Sequence, residues 1–344
     1  MNSRVLVTGA ASPLGAALGR RLEQREDVEA IFGLDLVDPR AGFERLEFVH
    51  TDTRHSVLVK LIRELEIDTV IHCATRCEGR EPPRLSHETN VIGTMNVLAA
   101  CSGAASPVRR LVVKSSVAVY GARLGLPGLI GERVAGRRPP GTVLERELLE
   151  MEQLVSEHAA RQRDQAVVTV RLGFRLNRTE ATAFARALSA PVLLSAAGFD
   201  PRLQFLADND AAEGLERAAL GEAGGVFNLS GNGVVLLSQV TKALRLLWLP
   251  VLPPGSGERV AWVVRRLGLP VAAHLPGLLT YGSVVDSRAF VSTFGWRPRQ
   301  TSREVVRQFA AELAGEAGTV PVLEPELERF LRQRRRPASS HTAG

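Results

Sequence analysis

Val5-Leu6-Val7-Thr8-Gly9-Ala10-Ala11-Ser12-Pro13-Leu14-Gly15 is the stretch on which the reading of this chain turns. Val5-Leu6-Val7 is a short buried strand. Residues 13–25 carry Leu14, Leu18 and Leu22 at helical spacing, so a strand runs through a tight turn into a helix. Glycines at 9 and 15 in that context resemble a dinucleotide fingerprint, in which backbone amides and the helix dipole receive a diphosphate. One position departs: Ser12 stands where the middle glycine is usual, and its Cβ hinders close approach of a ligand to the backbone. Ser12-Pro13 is nevertheless a strong helix start, with Ser at the N-cap and Pro at the first helical position. Gly9, Ser12, Pro13, Leu14 and Gly15 are therefore candidate cofactor-binding residues, against the plainer reading of a bare strand–turn–helix connection.

Asp35 argues against that plainer reading. It ends the next strand, Ala30 to Leu34, where a carboxylate hydrogen-bonds ribose hydroxyls and repels a 2′-phosphate. NAD is thus expected over NADP, although Arg40 is close enough in sequence to reach a 2′-phosphate. Beyond it, strands at 46–49, 69–72, 110–114 and 166–172 alternate with helices at 54–65, 88–101 and 143–162. Parallel strands need crossover connections, so this alternation predicts an α/β fold: a Rossmann-type, doubly wound parallel sheet. Residues 1–175 are expected to form the nucleotide-binding domain, with 204–230 returning to it. Residues 176–203 and 231–330 would form a smaller substrate lobe, and 331–344 a basic tail.

Composition narrows the class. The net charge is +6, carried by arginine; the only lysines are Lys60, Lys114 and Lys242. Such a bias is a weak argument for nucleic-acid binding, and no nucleic-acid partner is expected. The cysteines are Cys73, Cys77 and Cys101, an odd, sparse set without a leader-like N-terminus, which suggests reduced thiols in a cytoplasm. His72 beside Cys73 and Cys77 lacks a second ligand pair, so no metal is expected. The apolar region 234–253 is broken by Lys242, Arg245 and Pro250 and does not read as a membrane span. The arginine-dotted segment 244–279, with Trp248 and Trp262, leaves peripheral membrane contact open, though core helices explain it more simply.

Further segments carry a resemblance. Thr51-Asp52-Thr53, Ile71-His72-Cys73-Ala74-Thr75, Asn90 to Leu98, and Ser115-Ser116-Val117-Ala118-Val119-Tyr120-Gly121 occur in order. Gln204 to Asp210, Gly225 to Leu229, and Phe294-Gly295-Trp296-Arg297-Pro298 follow. Together they resemble the extended short-chain dehydrogenase/reductases, the NAD-dependent nucleotide-sugar epimerases and dehydratases. The resemblance implies cofactor contacts from Asp52, Thr53, Cys73, Ala74, Thr75, Asn90 and Ser115, and places Ser116 where the family has its catalytic Ser/Thr. It also implies a homodimer built on the helices at 88–101 and 143–162, for which Leu148, Leu149 and Met151 would face outward.

The family's reaction rests on a tyrosine four residues before a lysine, on the long helix after strand five. Counting back from Glu152, Leu144 and Leu148 occupy those positions. The chain has only Tyr120 and Tyr281, and no Tyr-x-x-x-Lys occurs in it. Tyr120 is expected to pack structurally. Glu145, Arg146 and Glu147 read as solvated helix charges, with Glu147 the one carboxylate placed to stand in for the missing acid/base. The expected function is an NAD-binding oxidoreductase or isomerase on a nucleotide sugar or related polyol with weak or non-standard catalysis. The alternative is a non-catalytic NAD-binding sensor or scaffold.

Overall fold

A computed structural model of the chain describes residues 3–40, 42–51, 57–76, 83–103, 106–190, 192–252 and 275–316. Its centre is a seven-stranded sheet, parallel throughout, formed by β1 (Ser3–Thr8), β2 (Val28–Asp35), β3 (Leu46–His50), β4 (Thr69–His72), β5 (Arg110–Ser116), β6 (Ala166–Leu172) and the later strand Gly225–Leu229. The spatial order is β3-β2-β1-β4-β5-β6 and then Gly225–Leu229. The chain runs outward from β1 to β3 and returns to β4 on the other side of β1. The strand order therefore reverses between β1 and β4, and a crevice opens at their carboxyl ends.

Two layers of helix cover the sheet because its strands alternate apolar side chains to both faces. On one face α1 (Pro13–Glu23) and the helix Asp208–Leu220 bury Leu14, Leu18, Leu22, Ala211 and Leu215 against Val5, Val7, Ile71 and Val112. On the other, α2 (Val57–Glu64), α4 (Gly93–Ala100) and α5 (Val143–Arg161) close over Leu6, Val70, Leu111 and Val113. The helix expected over 88–101 is in fact composite. A short α3 (Pro83–His87) leads into a π-helical turn, Glu88–Ile92, and only then into α4. A π turn inserts an extra residue into the 3.6-residue repeat, so hydrophobic periodicity does not reveal it.

A separate cluster gathers Phe184 from α6 (Ala183–Leu188), Phe205, Leu237, Leu278 and Phe309. Phe184 meets Phe174 and Phe205 edge-to-face, with ring centroids 5.2 Å apart in each pair. Two small sheets belong to this part. In one, β7 (Val192–Ala196) pairs in parallel with Leu247–Leu252; in the other, β8 (Arg202–Leu203) pairs antiparallel with Val235–Leu236. Trp248 sits on the first of these and donates its indole N–H to Ser195 Oγ. The rest of the arginine-dotted segment, including Trp262, lies outside the described residues, as do Asp52, Thr53, Cys77 and the basic tail. No helix among the described residues is long and apolar enough to cross a membrane. The expectation for a subunit interface needs correction: Leu148 and Met151 are fully buried in their own subunit. Exposed apolar residues on the helices at 88–101 and 143–162 are Ile92, Met95 and Val143.

Candidate nucleotide site

The turn after β1 is built on two glycines that nothing larger fits. Gly9 has a φ of +72°, and a Cβ there would stand 2.8 Å from both Cα and N of Ala74. A Cβ on Gly15 would lie 2.1 Å from the Gly9 carbonyl oxygen. The first glycine lets the end of β1 lie flat against the end of β4; the second lets α1 begin directly over the turn. Ser12 takes its place as the cap. Its hydroxyl donates to Gly9 O at 2.7 Å and accepts from Gly15 N at 3.0 Å. Pro13 at the first helical position has no N–H to satisfy, so among the first-turn amides Leu14 is left without a backbone or side-chain acceptor in the described residues. The side chain that departs from the glycine pattern is thus turned inward, and the helix start remains open to an anion.

Asp35 reaches this turn from the end of β2. One carboxylate oxygen accepts from Ala11 N at 3.1 Å and the other from Leu36 N at 2.7 Å. Its half-buried carboxylate is held at the rim of the crevice, where ribose hydroxyls would meet it. Arg40 is exposed.

Between the turn and α4 lies His72, fully buried. The Thr94 hydroxyl gives its single proton to the Asn90 carbonyl, so His72 Nε2 must donate to Thr94 Oγ1, 3.1 Å away. Nδ1 then accepts from the Thr8 hydroxyl at 2.7 Å. Both nitrogens are occupied by a neutral ring. Burial, helped by the nearby charge of Lys114, pushes the imidazole pKa down to about 3. Cys73 is buried beside it, Ala74 is half-buried against Gly9, and the Thr75 hydroxyl donates to the Lys114 carbonyl at 2.8 Å.

At the end of β5 the two serines do different work. Ser115 points toward α5 and donates to Glu152 Oε1 at 2.6 Å. Glu152 forms a buried ion pair with Arg171 of β6, at 2.5 Å. Arg171 donates to the Tyr120 hydroxyl, which donates to Asn228 Oδ1 at 2.6 Å. Burial pushes the Tyr120 phenol up to about 12 despite the Arg171 charge, so this tyrosine is a structural strut and no neutral-pH proton carrier. Ser116 caps the following 3-10 turn by accepting from Ala118 N at 3.2 Å, and is buried.

The α5 helix shows what has happened to the missing pair. Leu144 and Leu148 lie inward, in one apolar cluster with Val117, Val119, Tyr120 and Met151. The positions where the family resemblance places a phenol and an ammonium are packed shut with hydrocarbon. The reading of Glu145 and Glu147 as solvated charges is overturned: both are 3% exposed, and only Arg146 is exposed. Thr142 caps α5 by accepting from Glu145 N, and the Glu145 carboxylate pairs with Arg123. Glu147 packs under α3 and the π turn, where its Oε2 accepts from the Ser86 hydroxyl and, at 3.1 Å, from Asn90 Nδ2. Its Oε1 is buried and has no hydrogen-bond partner among the described residues. Asn90 also accepts from Arg76 N and donates to Arg76 O. The π turn therefore brings Asn90 onto a buried carboxyl. Sequence reading missed Ser86, whose i,i+4 relation to Asn90 was the available signal.

Glu180 pairs with Arg175, which also holds Asp208 at 2.7 Å. Next to them a cleft of about 470 Å³ opens among Asn177, Arg178, Asp208, Asn209, Gln308 and Glu312.

A sequence profile of the NAD dependent epimerase/dehydratase family matches residues 5–175. An uncharacterized protein of Mycobacterium tuberculosis is 34% identical over 94% of this chain and 87% of its own length, and its Mycobacterium bovis counterpart matches equally. Among solved structures, UDP-glucose-4-epimerase from Stenotrophomonas maltophila, with bound NAD and formylated UDP-arabinopyranose, has a TM-score of 0.70 at 17% identity, covering 92% of this chain and 100% of that one. UDP-glucose 4-epimerase from Thermotoga maritima, with UDP-glucose, gives 0.70 at 15% identity and the same coverage. dTDP-glucose 4,6-dehydratase from Bacillus anthracis, in complex with NAD, gives 0.65 at 16% identity, covering 90% and 96%. With its crevice at the strand-order reversal, its glycine turn and its matched profile, the chain belongs to the NAD-dependent epimerase/dehydratase family.

Proposed function

We propose that this protein binds NAD across the carboxyl ends of β1, β2 and β4. We further propose that it acts, weakly or by a non-standard route, on a nucleotide sugar or related polyol. The carrying observation is the intact turn: two glycines with no room for a side chain, an open helix start, and Asp35 held at the rim. Bound NAD would supply a hydride acceptor. Gly9, Ser12, Pro13, Leu14 and Gly15 would seat its diphosphate, Asp35 its adenosine ribose, and Ala74, Thr75 and Asn90 would line its remaining length, whereas Ser115 is turned away toward Glu152 of α5. The polar cleft beside Asp208 and the sugar-nucleotide ligands of the structural neighbours support the substrate class.

For proton transfer the chain offers one buried carboxyl against Asn90, that of Glu147, with Ser116 as a hydrogen-bonding hydroxyl. Without tyrosine and lysine, a rate roughly 10²–10⁴-fold below an ordinary general acid–base catalyst is expected. A second reading, a sensor or scaffold that binds NAD without turnover, draws support from the hydrocarbon packing of Leu144 and Leu148. Calorimetric titration with NAD⁺ and NADP⁺, followed by chromatographic product analysis over a panel of UDP- and dTDP-sugars (redox-neutral turnover leaves no net NADH), separates them. Tight binding of NAD⁺ over NADP⁺ with slow turnover abolished by Glu147→Gln supports the first reading. Binding with no turnover supports the second. Activity retained in Glu147→Gln rules out the carboxyl, and absence of NAD⁺ binding overturns both.

A further inference from the structure

Lys114 is the one lysine in the central sheet, in a chain whose positive charge is otherwise arginine. It is 6% exposed. Among the described residues its ammonium has neither a hydrogen-bond acceptor nor an ion-pair partner, and the contact it makes through its backbone is the carbonyl that accepts from Thr75. The acid that feels its charge, Glu180, is ion-paired with Arg175. A lysine buried without a partner is costly, and its stem fixes where the charge goes.

Alternation along β5 settles the face. Val113 belongs to the cluster under α4 and α5, and Ser115 bonds Glu152 of α5; Val112 belongs to the cluster under α1. Lys114 therefore stands on the α1 face, two strands from the glycine turn, with only β4 between. Adjacent strands lie about 4.8 Å apart, so roughly 10 Å separate the two backbones, and a four-carbon stem covers much of that gap. Gly9 lies against Ala74, and Thr75 bonds Lys114, which makes the turn, the end of β4 and the end of β5 one continuous floor. The Lys114 charge is felt on both sides of this floor. It helps to depress His72, and with Arg175 it holds the Glu180 carboxyl below its usual range although burial works the other way.

We propose that the Lys114 ammonium is the cation that pairs with the diphosphate of a dinucleotide seated on the Gly9–Gly15 turn. This rests on the reading that the turn binds NAD. The diphosphate is the anionic part of that molecule, and this turn offers it few amides, since Ser12 occupies Gly15 N and Pro13 has none. A point charge from β5 makes up for donors that the Ser12-Pro13 start removes.

The test is calorimetric titration of the full chain with NAD⁺, ADP-ribose and adenosine, on wild type, Lys114→Met and Lys114→Arg, with melting temperatures of the free proteins. A charge-assisted hydrogen bond lost here weakens NAD⁺ and ADP-ribose by about ten- to hundredfold alike. Adenosine binding stays unchanged, Lys114→Arg keeps most of the affinity, and free Lys114→Met melts within a few degrees of wild type, since relief of an uncompensated buried charge offsets the lost attraction to Glu180. Equal NAD⁺ affinity in Lys114→Met overturns the proposal while leaving the NAD reading intact. So does a loss confined to NAD⁺, which would put the ammonium at the nicotinamide half. A wild type that binds neither NAD⁺ nor ADP-ribose overturns the NAD reading and this proposal with it. Should Lys114→Met fail to fold, Lys114→Gln carries the same comparison.

Discussion

The turn at 8–15 and the stretch 144–152 of α5 lie on the same sheet and differ from the pattern of the family resemblance in opposite ways. In the turn one glycine has become Ser12, yet the new side chain folds inward and caps the helix it begins. In α5 Leu144 and Leu148, where the family resemblance places a phenol and an ammonium, are buried in one apolar cluster. One turn further along the same helix, Glu152 keeps its ion pair with Arg171 and its bond from Ser115. The turn keeps a helix start open to an anion, whereas the two leucines of α5 present only hydrocarbon. A substitution that satisfies its own polar atoms is tolerated in place. One that removes polar atoms from a crevice invites the core to fill it.

The sharpest way to break this contrast is to put the pair back. In Leu144→Tyr/Leu148→Lys an ammonium enters a position with 0% exposure and a phenol enters one with 6%. The double variant is expected to lose more than about 4 kcal/mol, combining an unpaired buried charge with overpacking, as read from urea unfolding. A variant that is stable and turns over UDP-glucose would show that the leucine packing is no barrier.

Acid sensitivity probes the turn side. His72 is neutral in the fold, with its pKa at about 3 against an ordinary 6.5. Below pH 6.5 the unfolded chain binds a proton that the folded chain refuses. Stability is therefore full above that pH and falls as pH drops toward 3, by about 1.4 kcal/mol per unit. Between pH 6.5 and 5 the wild type should lose about 2 kcal/mol more than His72→Gln does. Identical pH slopes would mean that the imidazole is not held neutral.

The smallest effect belongs to Ser12. Removing the cap with Ser12→Ala should cost about 1 kcal/mol in unfolding free energy. If the cap matters only to the helix, NAD⁺ affinity survives the change; if affinity rises, the hydroxyl is competing for the Gly15 amide.

The sheet and the turn were legible because each rests on short-range pattern: Val5 to Gly15 within one strand–turn–helix, Asp35 at a strand end, Tyr120 and Gly121 after β5. The loss of the Tyr-x-x-x-Lys pair needed only a count of residue types. The π turn was invisible, since an inserted residue in a helix leaves no mark on composition. Glu145 and Glu147 were misread for a related reason. Sequence shows which residues share a helix face, but not that α3 and the π turn would cover Glu147 while Arg123 would cover Glu145 on another side of the helix. The same blindness put Leu148 and Met151 on an outer surface.

What the chain determines by itself is therefore local. Glycine at 9 and 15, the Ser12-Pro13 helix start and the alternation of strand and helix follow from backbone sterics and side-chain period, which act over a few residues. What tertiary structure alone decided is partnership: that Glu147 meets Ser86 and Asn90, that Arg171 links Glu152 to Tyr120, and that Lys114 lies buried with no ion pair among the described residues. Burial and pairing depend on segments some tens of residues apart arriving at one place, and charge in a low-dielectric interior takes its meaning from whatever arrives.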